Sequence, residues 1–254
     1  MQVGISDTQG TRPYMEDVCS VDEEFLENAS VYSVFDGHGG DEAPLYAAKN
    51  LSSSLSKIFK NQNLKDASVI KNGFTNSYKE IDEQINNEES MKRSGATAVS
   101  CMLVENDLHV INVGDARAIA CLKQNKVQRL SVDHKVICNE EYRRIIDDNN
   151  SYILDERLNG FIEVSRSIGD SIVKDICIPT PYCMKFDLNK NVEYIILGCD
   201  GVFDEITDQM ISNILSSHQG KDPNYLAVLL RDIAFHYGSN DNISVIVLKN
   251  KLAF

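Results

Sequence analysis

No run of residues in this chain is long and apolar enough to span a bilayer. The opening Met1-Gln2-Val3-Gly4-Ile5-Ser6-Asp7 lacks the basic start and apolar middle of a secretory signal, and it carries no myristoylation pattern. Paired cysteine patterns are missing too. The seven cysteines (Cys19, Cys101, Cys121, Cys138, Cys177, Cys183, Cys199) are odd in number and include no C-x-x-C. That argues against a disulfide framework and for reduced, buried thiols in a cytoplasmic or nuclear protein. There is no internal repeat and no low-complexity tract. Basic charge is scarce: 25 Lys and Arg stand against 38 Asp and Glu, a net charge of -13. An acidic surface disfavours nucleic-acid backbones and anionic membranes, so neither is expected as a partner.

What is present is ordinary globular composition, 43% hydrophobic and 25% charged over 254 residues, enough for a self-sufficient core. Short apolar stretches of strand type run from Val18 to Val21 and from Val31 to Phe35. A helix starts after Gly40-Asp41, with Ala47, Leu51, Leu55 and Ile58 at helical spacing. Asp66 can cap a second, whose stripe is Ile70, Phe74, Tyr78, Ile81 and Ile85. The period then changes. Ala96 to Val104, Leu108 to Val113, Ala116 to Leu122 and Val127 to Leu130 read as strands, joined by turns at Glu105-Asn106, Gly114-Asp115 and Gln124-Asn125. Links this short imply antiparallel pairing of consecutive strands. A short helix over Asn139 to Asp148 follows, and residues 149–191 show no regular pattern. The last third holds a strand (Val192 to Cys199), helices over Thr207 to Ser217 and Pro223 to Tyr237, and a closing strand (Ile243 to Leu248). Helix pairs at both ends around antiparallel strands predict a layered α+β fold. Asp241 beside the final strand predicts that both chain ends share one sheet system, in a single domain over 1–254.

The chemistry lies at the strand ends. Asp36-Gly37-His38-Gly39-Gly40 closes one apolar run, Asp200-Gly201 closes another, and Asp241-Asn242 opens a third. Any single Asp-Gly is usually a turn. Three acids ending near-continuously apolar strands would repel each other if they met, and bound cations remove that penalty. Oxygen donors without clustered His or Cys favour a hard ion, Mg²⁺ or Mn²⁺. Two such ions could hold a hydroxide for in-line attack on phosphorus. Glycine at 37 leaves its carbonyl free to approach a metal. His38, in a glycine-flanked loop, could protonate the departing alkoxide. Arg12 could grip phosphate oxygens through its planar fork.

The chain resembles the metal-dependent serine/threonine phosphatases of the protein phosphatase 2C family, from about Val3 to Leu248. Eight motifs stand in family order: Arg12-x-x-x-Glu16-Asp17, Asp36-Gly37-His38-Gly39-Gly40, Ser94-Gly95-Ala96-Thr97-Ala98, Asn112-Val113-Gly114-Asp115-Ala116-Arg117, Asp133-His134-Lys135, Val164-Ser165-Arg166-Ser167-Ile168-Gly169-Asp170, Asp200-Gly201-Val202-Phe203-Asp204 and Gly238-Ser239-Asn240-Asp241-Asn242. The resemblance implies a four-layer α-β-β-α sandwich with two central antiparallel sheets. It implies hydrolysis of phosphoserine and phosphothreonine in phosphorylated protein substrates, with two Mg²⁺ or Mn²⁺ ions. On this reading Asp36 bridges the ions, Asp200 and Asp241 complete one, and Glu16 with the Gly37 carbonyl completes the other. Asp17 acts through bound waters, and Asp133 and Asp204 stand near a weaker third ion. Arg12 binds phosphate, His38 is the general acid, Arg166 lies near the substrate flap, and Asn242 stands behind the ligands. Ser94 to Ala98 and Asn112 to Arg117 are expected to serve as strand and turn structure, and the chain to act as a monomer. Val136 replaces a proline common after Asp-His-Lys, and Asn149-Asn150 stands where Gly-Gly is frequent.

Rival readings remain open. Cys138 to Arg144 has the C-x-x-x-x-x-R spacing of cysteine-based phosphatases, but Glu140 and Glu141 would repel phosphate and no glycine relaxes the loop. It reads instead as a helix start. A catalytically silent phosphatase-fold binding module would usually have lost a metal acid or the phosphate arginine, and none is missing. A hydrolase of small phosphoesters is the third possibility.

Overall fold

The computed structural model describes residues 1–147, 151–173, 175–189 and 191–253. In chain order the elements are β1 (Gln2–Thr8), β2 (Val18–Leu26), β3 (Ala29–His38), α1 (Glu42–Phe59), α2 (Ala67–Asn87), β4 (Gly95–Val104), β5 (Asp107–Val113), β6 (Arg117–Leu122), β7 (Lys126–Arg129), α3 (Asn139–Ile146), β8 (Ile153–Leu154), β9 (Arg157–Leu158), β10 (Ile168–Gly169), β11 (Tyr182–Asp187), β12 (Val192–Gly198), α4 (Asp200–Phe203), α5 (Asp208–Ser217), α6 (Pro223–Tyr237) and β13 (Ile243–Lys249).

Strands buried on both faces carry apolar residues at consecutive positions, and β3 shows why. Tyr32 and Val34 pack between two sheets, while Val31 and Phe35 pack on the opposite face beneath α1 and α2. The sheets run β1-β13-β12-β6-β7 and β11-β5-β4-β3-β2, with β10 added to β4. The helices α5 and α6 cover the first sheet, and α1 and α2 the second. The result is the expected α+β sandwich, and β1 pairs with β13, joining the chain ends.

Local signals account for the helices. Asp66 Oδ1 accepts from Ser68 N at 2.8 Å, and the stripe Ile70, Phe74, Tyr78, Ile81 and Ile85 is buried. In α1 the buried stripe ends on Phe59, whereas Ile58 is half-buried. Thr207 caps α5, accepting from Met210 N at 3.2 Å. The bounds of α6 match the sequence reading, with Pro223 in its first turn and Gly238 closing it at φ 113°. Among the described residues no helix is long and apolar enough to cross a membrane, and the seven cysteines are free thiols.

Two expectations need correction. First, β5 and β6 do not pair, despite their short link. They lie in different sheets, and residues 114–116 step between the layers. Asn112 builds the step: Nδ2 donates to Gly114 O at 3.2 Å and Val132 O at 2.6 Å, and Oδ1 accepts from Val132 N at 3.2 Å. Gly114 has φ +82°, and a Cβ there would stand 2.4 Å from the Thr97 Cβ. Second, the region after 149 holds a six-residue edge strand, β11, paired with β5. A half-exposed edge needs no continuous apolar run, so its pattern is weak. Asn149 and Asn150 lie outside the described residues. Val136 donates its N–H to Glu163 O at 2.9 Å, a bond that proline cannot make.

Candidate active site

Strand register brings distant acids to one end of both sheets. In the β2–β3 pair Val18 faces Phe35, so Glu16-Asp17 before β2 meets Asp36-Gly37 at the end of β3. Gly198 faces both Val245 and Arg117. Asp200 and Asp241 therefore share one strand end, and Asp115 stands beside Asp200. Close backbone approach demands glycine at two of these points. A Cβ on Gly37 would lie 2.2 Å from Glu16 O, and one on Gly201 would lie 2.0 Å from Asn242 O.

Most of these residues line a cavity of about 440 Å³ whose walls include Arg12, Glu16, Asp36, Gly37, His38, Asp115, Asp200 and Asp241; Asp17 is buried and is not part of that lining. Carboxylate oxygens of Asp36, Asp115 and Asp200 all lie within 4.8 Å of one another. Burial raises Asp36 well above the usual carboxylate range, and Asp200, Asp17, Asp115 and Asp241 push it further. Burial with the charge of Asp115 and Asp241 raises Asp200 to about 8. Burial lifts Asp17 to about 6, and its Oδ2 is enclosed without a hydrogen-bond partner. Burial also raises Asp115, partly offset by Lys135 at 3.4 Å. An all-oxygen cluster this crowded, with an orphaned carboxylate oxygen beside it, fits hard divalent cations.

The residues around the cluster have separate tasks. Arg12 reaches Asp241 Oδ2 at 2.6 Å and stays half-exposed. Asn242 fastens the loop that carries Arg12 and Glu16: Nδ2 donates to Gln9 O and Tyr14 O at 2.9 Å, and Oδ1 accepts from Glu16 N at 2.8 Å. His38 Nε2 lies 2.9 and 2.8 Å from the two Asp170 oxygens. Burial alone would lower the His38 pKa, but the Asp170 carboxylate outweighs it and holds the imidazole above its usual value.

Three expected site residues stand elsewhere, and one was missed. Asp133 does not line the cavity, because Arg117 and Arg129 engage its carboxylate. Arg166 is absent from the lining too. Its fork lies on Glu141, with Nη1 donating to Thr180 O at 2.9 Å. Glu141, expected only to repel phosphate, is the buried hub of that network and also accepts from Ser165 Oγ at 2.7 Å. Asp204 is exposed and reaches the cluster through Lys135, which lies 3.5 Å from it. Asp115 belongs to the central trio rather than to a plain turn. Its signal was close to that of Asp36 and Asp200, an acid beside a glycine at the end of an apolar run.

Arg117 locks the sheet behind the site. It joins Asp133 and Asp208 and lies 4.9 Å over the Phe203 ring. Arg117→Met leaves two largely enclosed carboxylates with Arg129 alone, at a cost of about 3 kcal/mol. A thermal melt should fall by roughly 6–12 °C, and an unchanged melt would show that the network is dispensable.

Comparison with known proteins shows what the chain is similar to. A family model described as Protein phosphatase 2C matches residues 1–243. A probable protein phosphatase 2C 55 of Oryza sativa subsp. japonica is 34% identical over 251 residues, covering 97% of this chain and 65% of that protein. An integrin-linked kinase-associated serine/threonine phosphatase 2C of Bos taurus is 30% identical over 280 residues, covering 96% of this chain and 75% of that protein. Among solved structures, a serine-threonine phosphatase 2C from Toxoplasma gondii superposes with a TM-score of 0.82 at 18% identity, over 96% of this chain and 93% of that one. A C. elegans sex determining protein superposes with a TM-score of 0.86 at 22% identity, over 97% of this chain and 64% of that one. These two structures share the fold. The chain spans about two thirds of the length of the rice relative.

Proposed function

The chain belongs to the protein phosphatase 2C family, and from that membership we propose that it hydrolyses phosphoserine and phosphothreonine in proteins with divalent metal ions. The observation that carries the reading is the convergence of Asp36, Asp115 and Asp200 in a cavity that Arg12 and His38 also line. Asp36, Asp115, Asp200 and Asp241, with Glu16, Asp17 and the Gly37 carbonyl, would hold two Mg²⁺ or Mn²⁺ ions, and Asp204 would be available to a third. When bound, such ions supply Lewis acidity and an acidified water at neutral pH.

The protein's own groups do the rest. Arg12, anchored by Asp241, presents its remaining N–H groups to phosphate oxygens. Asn242 keeps that loop in place. His38, its protonated form favoured by Asp170, gives a proton to the departing serine or threonine oxygen.

The test compares a phosphothreonine peptide, p-nitrophenyl phosphate and a sugar phosphate, each with Mn²⁺ and with chelator. Metal-dependent turnover that favours the peptide supports the reading. No turnover by folded protein would leave a binding module, and preference for the sugar phosphate would leave a small-phosphoester hydrolase. His38→Ala should cost the peptide about 10²-fold or more in kcat but the aryl phosphate far less, because a phenolate leaves without a proton. Equal losses on both would count against the acid role.

A further inference from the structure

Two consecutive residues beside His38 hold left-handed backbone. Gly169 has φ +97° and Asp170 has φ +58°. Aspartate enters that region as a single residue more readily than most side chains, and contacts from neighbouring elements hold it there. Asp82, on α2, accepts from Gly169 N at 2.7 Å. Asp170 N donates to Ser94 O at 3.2 Å. Glycine is required at 169, where a Cβ would stand 2.6 Å from Ser94 O, and at 95, where one would stand 2.3 Å from Asp170 Oδ2. The two-residue β10 exists only through its pairing with Gly95 and Ala96. All of these features deliver one buried carboxylate to His38 Nε2, where Ser167 Oγ also holds it.

We propose that Asp170 is a positioning residue that fixes the rotamer and tautomer of His38, so that Nε2 faces Asp170 and Nδ1 delivers the proton to the leaving group, and that Asp82 sets the turn carrying Asp170. The inference rests on the hydrolase reading above. A carboxylate on one ring nitrogen determines which nitrogen remains for chemistry. No residue of this relay is among the acids assigned to metal, and α2 thereby gains a mechanical link to the acid, through Asp82, Gly169 and Asp170.

The experiment is a double-mutant cycle on kcat and KM with Mn²⁺, using a phosphothreonine peptide and p-nitrophenyl phosphate. Asp170→Ala should lower kcat on the peptide by about 10–100-fold, with KM changed less than about 3-fold and a much smaller loss on the aryl ester. In a His38→Ala background the same change should have almost no further effect. Equal losses on both substrates, or losses that add fully to those of His38→Ala, overturn the proposal. Asp82→Ala should show the same pattern about 3–10-fold deep, and Asp82→Asn, whose amide oxygen still accepts from Gly169 N, should recover most of it. If Asp170→Ala does not fold, Asp170→Asn takes its place in the cycle. Nitrogen-15 NMR of the His38 ring in metal-free protein reads the tautomer independently of turnover. A proton on Nε2 at high pH supports the assignment, and a proton on Nδ1 overturns it. Wild-type protein that leaves the peptide intact would sink the hydrolase reading, and the NMR result would still judge the geometry.

Discussion

Asp36→Asn should remove metal-dependent turnover, by about 10³-fold or more in kcat, and at the same time stabilise the metal-free protein. The two effects share one cause. Asp36 stands among Asp200, Asp17, Asp115 and Asp241, whose charges together with burial oppose its ionisation. Neutral asparagine relieves that repulsion and removes one carboxylate of the trio that would hold metal. Kinetics with Mn²⁺ and a melt in chelator at pH 8 check both. Near-normal activity would contradict the metal-holding role, and a lowered melt would contradict the repulsion.

The metal-free protein should lose stability as pH rises from about 5 to 8, the reverse of most proteins over that range. A carboxyl whose folded pKa is raised contributes stability that is fully present below its unfolded value, and this is lost as pH rises through the folded value. Asp17 is raised to about 6 and Asp200 to about 8, while Asp36 and Asp115 are raised as well. His134 works the other way. Its burial, with Arg166 beside it, lowers it to about 4, so it offsets part of the fall below about pH 6.5. Glu141, held near 2 by Arg166, Ser165 and Arg144 against its burial, is constant across this window. The melt in chelator should drop by about 5–10 °C, corresponding to a few kcal/mol at ~2–4 °C each. Saturating Mn²⁺ should flatten or invert the slope, because cations favour the ionised acids. A flat profile in chelator would mean that the cluster carries no such tension.

Elements whose evidence is local were legible in the residues. Pro223–Tyr237 was readable end to end, since its first-turn proline, apolar spacing and closing glycine all lie within one segment. Asp36 and Asp200 stood out because each closes an apolar run, and Asp241 because it stands just before one; the register of the sheets then brings them to one cavity. Asp115 carried the same mark. It was taken for a hairpin turn because a Gly-Asp link between adjacent strands and a Gly-Asp link between layers have the same local chemistry. Only the destination of the following strand separates them.

Charge partners follow the same division. By itself the sequence determined the layered α+β architecture, the acid-rich strand ends and the family, because hydrophobic period and motif spacing are properties of the chain. Tertiary structure alone decided that Asp133 serves Arg117, that Arg166 serves Glu141, and that Asp170 reaches His38. An ion pair falls off with distance through space, and residues separated by 132 positions in the His38–Asp170 contact become neighbours only when the sheets close.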